Sequence, residues 1–584
     1  MELNNKITSL LKGDLDSFKT FKDYYYERPN YQESLKDTEE IIKVLMTVED
    51  FEEVCLKLDE FNKKRNLINT MFSLAEVRNT IDTNDSFYEE EKNFIDENAP
   101  LFAEIDQRFL KALLDSKHQP KLEEKYGKRL FESIRLSLET FSPEIIEDLQ
   151  EEGKLCSKYD RLLASAKISF DGKILNLSQM SAYMHNSDRN IRRDAEKAIS
   201  GFLQEKEDEL DDIYDNLVKV RTKIAKKLGF NDFIELAYKR LGRTEYNKDD
   251  VKKYRDEILS EIVPLVEKIY EKQTELINIP KEEFKSYDMN YKFATGNPKP
   301  IGDTKQKIDN ALKMYHELSD ETAKFSEFMF GRELIDLEAK PGKVGGGYCT
   351  YFPSYKSPFV FSNFNGSSGD VDVLTHEFGH AFQVYSSRNY DFMEYYFPTM
   401  ESAEIHSMSM EFFAWPWMDD FFGDDVLKYK YQHLSSSITF IPYGALVDAY
   451  QHEVYANPEL TKEERKQVWR KLEKEYMPFK VYENEFLNKG TWWYRQGHIF
   501  SSPFYYIDYT LAQNCAHQFW IKDNENHEKA WEDYLKICKA GGTKSFLELV
   551  GIANLRNPFI TGTVKEVTSK LSKWLDDFDI SKLK

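Results

Sequence analysis

Cysteine is scarce in this 584-residue chain: Cys55, Cys156, Cys349, Cys515 and Cys538 are odd in number, widely spaced and without a Cys-x-x-Cys pair. That argues against a disulfide framework or a thiolate metal site and fits a reducing cytoplasm best. Long hydrophobic runs are missing too. None reaches the roughly 20 apolar residues that span a bilayer. The opening MELNNKITSLLKGDLDSFKTFKD mixes charge with short apolar pieces and lacks the unbroken apolar core of a signal peptide. Positive charge is in the minority, 80 Lys and Arg against 102 Asp and Glu, a net charge of −22. Such a field opposes nucleic acid and anionic membrane surfaces alike, so neither is expected as a partner. The triple glycine Gly345–Gly347 has neither the Lys-Ser/Thr of a phosphate loop nor the spacing of a dinucleotide fingerprint, and reads as a flexible lead into a strand.

What the chain does hold is helical patterning and enough apolar residues, 41%, for a large core. From Tyr31 to Ser116 it reads as consecutive amphipathic helices, with Phe51, Val54, Leu58 and Phe61 at helical spacing. KISFDGKI, Lys167–Ile174, alternates about an Asp-Gly turn and predicts a short hairpin at a lobe boundary. Helical patterns resume at Asn190 and run to about Glu275, with Gly229 and Gly242 as stops. The one β region is Val344–Asn365, where GGGYCTYF and SPFVFSNF flank the turn-like PSYKSP.

Directly after that region comes VLTHEFGHAFQ, Val373–Gln383. Val371, Leu374, Phe378, Ala381, Phe382 and Tyr385 recur at threes and fours, so a helix is expected from about Asp370 to Tyr385. His376 and His380 then lie one turn apart on one face, the spacing at which two imidazoles reach one tetrahedral metal, and Glu377 lies within reach of a water there. The bland alternative is a pair of hydrogen-bonded core histidines. Gln383 and Ser386 stand where a metzincin carries Gly and His, which excludes that class. A third ligand is expected from the next helix, Pro398–Phe413, which offers Glu401, Glu404, His406 and Glu411. Glu404 follows His380 by enough residues for a loop and a returning helix, and it completes the His2Glu set of a catalytic zinc. Its apolar neighbours make it costly to bury without a partner. Glu401 and Glu411 read equally as groups that orient the histidines or as solvated surface; His406 projects away from the metal. Oxyanion donors are sought in GHIFSSPFYYIDYTLAQ, residues 497–513: His498 at a Gly-His loop start, and Tyr505, Tyr506 and Tyr509 on a helix after Pro503, against a background in which most tyrosines only pack.

HEFGH, the downstream AEIHSMSMEFF, the preceding GGGYCTYFPSYKSPFVFSNF and HIFSSPFYYIDYTLAQ, in that order, together resemble the oligoendopeptidase F branch of the thimet oligopeptidase family. The resemblance is strong over about Ser165–Lys584 and looser before it. It implies a mostly α fold, a large helical zincin-like ellipsoid of two lobes around a deep channel, with a small β-sheet next to the His-Glu-x-x-His helix. It implies an N-terminal helical lobe over residues 1–190 and a catalytic domain over 191–584. It implies a zinc endopeptidase acting on short to medium oligopeptides, with one zinc per chain held by His376, His380 and Glu404 and with Glu377 as general base. His498 with a tyrosine pair is implied to bind the scissile carbonyl. The spacing there is one residue shorter than in animal thimet-type enzymes, so Tyr506 and Tyr509 are chosen because they share a helix face, with Tyr505 as the alternative. A strand such as Ser357–Phe364 is expected to pair with an extended substrate. The competing readings are a metallocarboxypeptidase that presents Arg495 or Lys343 to a terminal carboxylate, and a non-catalytic peptide binder.

Overall fold

Capping and apolar spacing explain where the main helices begin and which faces they bury. Asp50 and Asp85 each accept backbone N–H bonds from the turn that follows, and so start the helices Phe51–Ile81 and Ser86–Asp115. On the first, Val54, Leu58 and Phe61 are buried, as their spacing requires, and share a core cluster with Phe109, Leu110 and Leu113 of the second. The computed structural model describes residues 2–583. They are mostly helical, with five short strands among the described residues: β1 (Ile168–Phe170), β2 (Lys173–Leu175), β3 (Ile335–Glu338), β4 (Tyr348–Phe352) and β5 (Ser357–Phe364). Among the described residues no helix is long and apolar enough to cross a membrane, and the five cysteines are free thiols.

The chain divides into two compact units, each drawing on both sides of residue 190. The first takes the chain up to Leu138 with Lys299–Gly423 and Lys522–Leu555. Its three-stranded sheet runs in the order β3-β5-β4, with β5 parallel to β3 and antiparallel to β4. β5 is buried along nearly its whole length and packs against the helix Gly369–Ser387, whose Val371, Leu374, Phe378 and Ala381 are fully buried. Because β5 is the middle strand, paired with β4 over Ser357–Phe361 and with β3 over Val360–Phe364, the expectation that Ser357–Phe364 pairs with a substrate is corrected. The open edge on the side of the glycine lead is that of β4, which among the described residues pairs with β5 alone. β3 was not expected from the sequence; four residues, IDLE, carry too little alternation to announce a strand.

The second unit takes Glu139–Pro298, Asp424–Ile521 and the chain from Arg556. Its hairpin β1–β2 forms as the sequence requires, with Asp171 and Gly172 both at positive φ, the turn whose twist suits two adjoining strands. Gly229 and Gly242, at φ +83° and +73°, stop the helices that precede them. Around the helix Val426–Ala456, buried charges are paired: Arg243 Nη2 reaches Asp508 Oδ1 at 2.6 Å and Arg255 Nη1 reaches Asp448 Oδ2 at 3.2 Å.

Candidate active site

The helix Gly369–Ser387 places His376 and His380 one turn apart, with ring centroids 5.1 Å from each other. The helix Met400–Phe413 packs against it and brings up Glu404, whose Oε2 lies 3.4 Å from His376 Nε2 and 3.5 Å from His380 Nε2. These distances discriminate between two readings. A charge-assisted hydrogen bond closes to about 2.7–2.9 Å. Ligand atoms about 2.0–2.1 Å from a tetrahedral zinc stand about 3.3 Å apart. The two Glu404 separations therefore match two edges of such a tetrahedron better than a direct ion pair, and the three donor atoms lie within 4.8 Å of one another. Glu404 is almost wholly buried and takes a bond from Ser407 Oγ at 3.0 Å, which holds its carboxylate in place.

Glu411, two turns beyond Glu404, accepts a 2.6 Å bond from His376 Nδ1. That fixes the ring proton on Nδ1 and leaves the Nε2 lone pair for a cation, the arrangement by which an outer carboxylate orients a ligand histidine. Glu411 is therefore engaged with His376 and is not simply a solvated surface group. The electrostatics call for positive charge here. Burial disfavours a charged His376, yet Glu404 and Glu411 hold its pKa well above the ordinary imidazole value. Burial likewise acts against ionised Glu404, but the two histidines hold its carboxyl well below the usual range. His406 points elsewhere, as its position on the helix requires: it is buried, bonded through Nδ1 to Ser402 O at 2.7 Å, and pulled down to about 4 chiefly by desolvation.

A glycine makes the cluster possible. At Gly379, a Cβ would stand 2.7 Å from Ser407 Cα and 2.8 Å from His406 O, so only a residue without a side chain lets the two helices approach this closely. Glu377, half-buried, faces the start of β4, where a Cβ on Gly347 would begin 3.8 Å from Glu377 Oε1. Gly345–Gly347 is exposed, so the open sheet edge passes the carboxylate. Lys343 is not available to a substrate. Its buried ammonium donates to Asp336 Oδ1 at 2.5 Å and to the backbone oxygens of Asp336, Glu338 and Ser362, which anchors the glycine segment.

The remaining candidates gather in the second unit. His498 sits on a short helix, Gly497–Ser501, where the sequence reading expected a loop. Three tyrosines surround its ring, Tyr506 at 4.9 Å and Tyr505 and Tyr509 at 5.7 Å between centroids. Helix Tyr506–Glu525 starts one residue later than expected and leaves Tyr505 just before it. Phe504, at φ +65°, has its N–H bonded to Gln451 Oε1 and its carbonyl to Arg243 Nη2, which fixes the approach to the tyrosines. Burial pushes the Tyr506 hydroxyl pKa up, so it stays a hydrogen-bond donor at neutral pH. Tyr443 donates to Gln496 Oε1 at 2.7 Å, which turns the amide nitrogen toward His498 Nδ1 at 2.8 Å. A neutral His498 then carries its proton on Nε2, outward from the pair. Neither Gly379 nor Gln496 was singled out from the sequence. The Gly within HEFGH was the available signal for the first; the second had none.

Comparison with known proteins follows the same lines. The family model for the peptidase M3 N-terminal domain matches residues 21–141, and that for peptidase family M3 matches residues 182–568. A solved structure of Pz peptidase A with an inhibitor is 49% identical, covering 96% of this chain and all of that one, with a TM-score of 0.91. An oligoendopeptidase F homolog from Borreliella burgdorferi is 23% identical over 432 residues, 70% of each chain. Oligoendopeptidase-F from Enterococcus faecium, 16% identical with a TM-score of 0.62 over 99% of both chains, shares the fold.

Proposed function

The chain belongs to peptidase family M3 and is a metalloendopeptidase, and from that premise we propose that it hydrolyses short to medium oligopeptides with one zinc ion held by His376, His380 and Glu404. The observation that carries the zinc assignment is the pair of 3.4 and 3.5 Å separations between Glu404 and the two imidazole nitrogens. Zinc, when bound, supplies a Lewis acid that acidifies water and polarises a carbonyl. Glu377 takes the proton of the attacking water and returns it to the leaving amine. His498, through its Nε2 proton, and Tyr506 and Tyr509, through their hydroxyls, donate hydrogen bonds to the carbonyl oxygen as negative charge develops on it, with Tyr505 as the alternative partner. The open edge Gly345–Thr350 pairs with the substrate backbone, which holds many sequences in one register. A cytoplasmic location agrees with five free thiols. The division into 1–190 and 191–584 is retained as a proposal about the chain's modules, supported by matched segments that end at 141 and begin at 182.

The deciding experiment is mass spectrometry of a mixed peptide library, blocked peptides included, digested with and without a chelator. Internal cleavage of doubly blocked peptides that stops on chelation and returns with zinc is expected. Removal of terminal residues only would favour a carboxypeptidase, and no metal-dependent cleavage would overturn the assignment.

A further inference from the structure

The second unit contains a cavity of about 680 Å³. That lies inside the range of about 300–1,000 Å³ typical of ligand pockets. One part of its wall is apolar, built from Met184, Ile199, Leu203 and Met477. The other carries two cations on a single indole: Lys480 Nζ lies 3.7 Å from the centre of the Trp492 ring, and the Arg495 guanidinium lies 4.5 Å from it. Gln496 also lines the cavity, and this is the residue that bonds His498. Cavity and candidate oxyanion donors are thus joined through one side chain.

Acidic side chains stand near both cations: Glu473 beside Lys480, and the buried Glu196 close enough to interact with Lys480 and Arg495. The carboxylate nearest Lys480 is Glu473 at 3.5 Å, and it is shared with Arg470 at 3.0 Å and with the Tyr482 hydroxyl at 2.5 Å. Arg495 forms no ion pair with any described residue, although it is drawn to the same ring as Lys480. Glu196, on the helix that supplies Ile199 and Leu203, accepts a bond from Ser286 Oγ at 2.5 Å, and burial raises its pKa. Burial pulls the Lys480 ammonium down to about 8 despite Glu473. Arg495 is exposed on the wall, and an arginine whose planar fork is outside any ion pair suits a carboxylate.

We propose that this cavity receives the free C-terminal carboxylate of a peptide between Arg495 and Lys480, with the last side chain, apolar, against Ile199, Leu203 and Met477. This rests on the peptidase reading and deepens it: the enzyme selects peptides by their C-terminal end while cutting at an internal bond. The combination of an apolar wall with a pair of cations matches a hydrophobic terminal residue, and neither feature alone would.

The test uses three peptides of one sequence ending in leucine: the free acid, the amide, and the amide with a glutamate one residue before the end. For the wild-type chain, kcat/KM for the acid is expected to exceed that for the plain amide by about tenfold or more, mostly through KM. Arg495→Gln should bring the ratio toward one, and Arg495→Lys should restore part of it. Equal kcat/KM for acid and amide, or an equal fall for both in Arg495→Gln, overturns the proposal. A glutamate-bearing amide as good as the acid also overturns it, in favour of a side-chain carboxylate. Product mapping distinguishes internal cleavage from removal of the last residue, which would make the cavity an exopeptidase site and sink the proposal as stated. Calorimetry of the same peptides with Glu377→Gln reads binding without turnover. A carboxylate preference there with no cleavage by the wild type would uphold the subsite while removing the peptidase reading.

Discussion

Alanine at position 379 offers a test in which two effects of opposite sign compete. In an ordinary helix interior, Gly→Ala stabilises by about 1 kcal/mol. At Gly379, the new methyl would lie 2.7 Å from Ser407 Cα and 2.8 Å from His406 O, and both are backbone atoms that no rotamer change can remove. Restoring a carbon contact of about 3.5 Å requires the helix Met400–Phe413 to retreat by about 0.8 Å. Overpacking of this kind costs about 1–3 kcal/mol, enough to cancel the propensity gain. The larger effect falls on the metal. Glu404 rides on the retreating helix, and ligand positions tolerate only about 0.2 Å. A loss of zinc affinity of at least about 10–100-fold is expected, comparable with losing an outer-sphere partner of a ligand. The assay is competition for zinc against a chromophoric chelator, with far-UV circular dichroism to show that the helices persist. Zinc affinity within twofold of wild type, together with a raised melting temperature, would refute the close-approach argument.

Other expectations follow from the same geometry. Glu377→Gln should bind zinc stoichiometrically while kcat falls by about 10²–10⁴, and near-normal turnover would remove Glu377 from its role. Glu404→Ala should lose the metal on purification, so full zinc content would refute the ligand assignment. Glu411→Gln weakens the acceptor at His376 Nδ1 and should lower zinc affinity by about 10–100-fold with the fold intact, as read by chelator competition. His517, buried with Nε2 2.8 Å from Ser437 Oγ, is pulled down to about 3, first by burial and second by His433. Its folded pKa lies below the unfolded value of about 6.5, so the unfolded chain takes up more protons as pH falls from about 6.5 toward 3. That removes about 2 kcal/mol of stability by pH 5. His517→Gln should flatten this part of the pH dependence of melting, and an unchanged slope would contradict it.

How far the chain could be read in advance depended on whether a feature is local. The histidine helix was legible because six apolar residues repeat at helical spacing around two histidines one turn apart, and the periodicity that predicts the helix also puts both histidines on one face. Glu404 is buried next to the two histidines, in keeping with the need of a buried glutamate among apolar neighbours for a partner. Registers and edges are different. SPFVFSNF holds the unbroken apolar run PFVF, and such a run marks a strand covered on both faces and in the middle of a sheet. Substrate pairing requires the opposite, an edge. β4 has the partly exposed face and the glycine lead of an edge strand, but β3, which makes β5 central, is four residues with no pattern of its own. The same distinction separates Glu411 from Glu401: both stand on the face near Glu404, and only the packing of one helix on another decides which carboxylate meets His376 Nδ1. Gly379 sets that packing, so the residue least informative as a letter determines the distance on which the metal assignment rests.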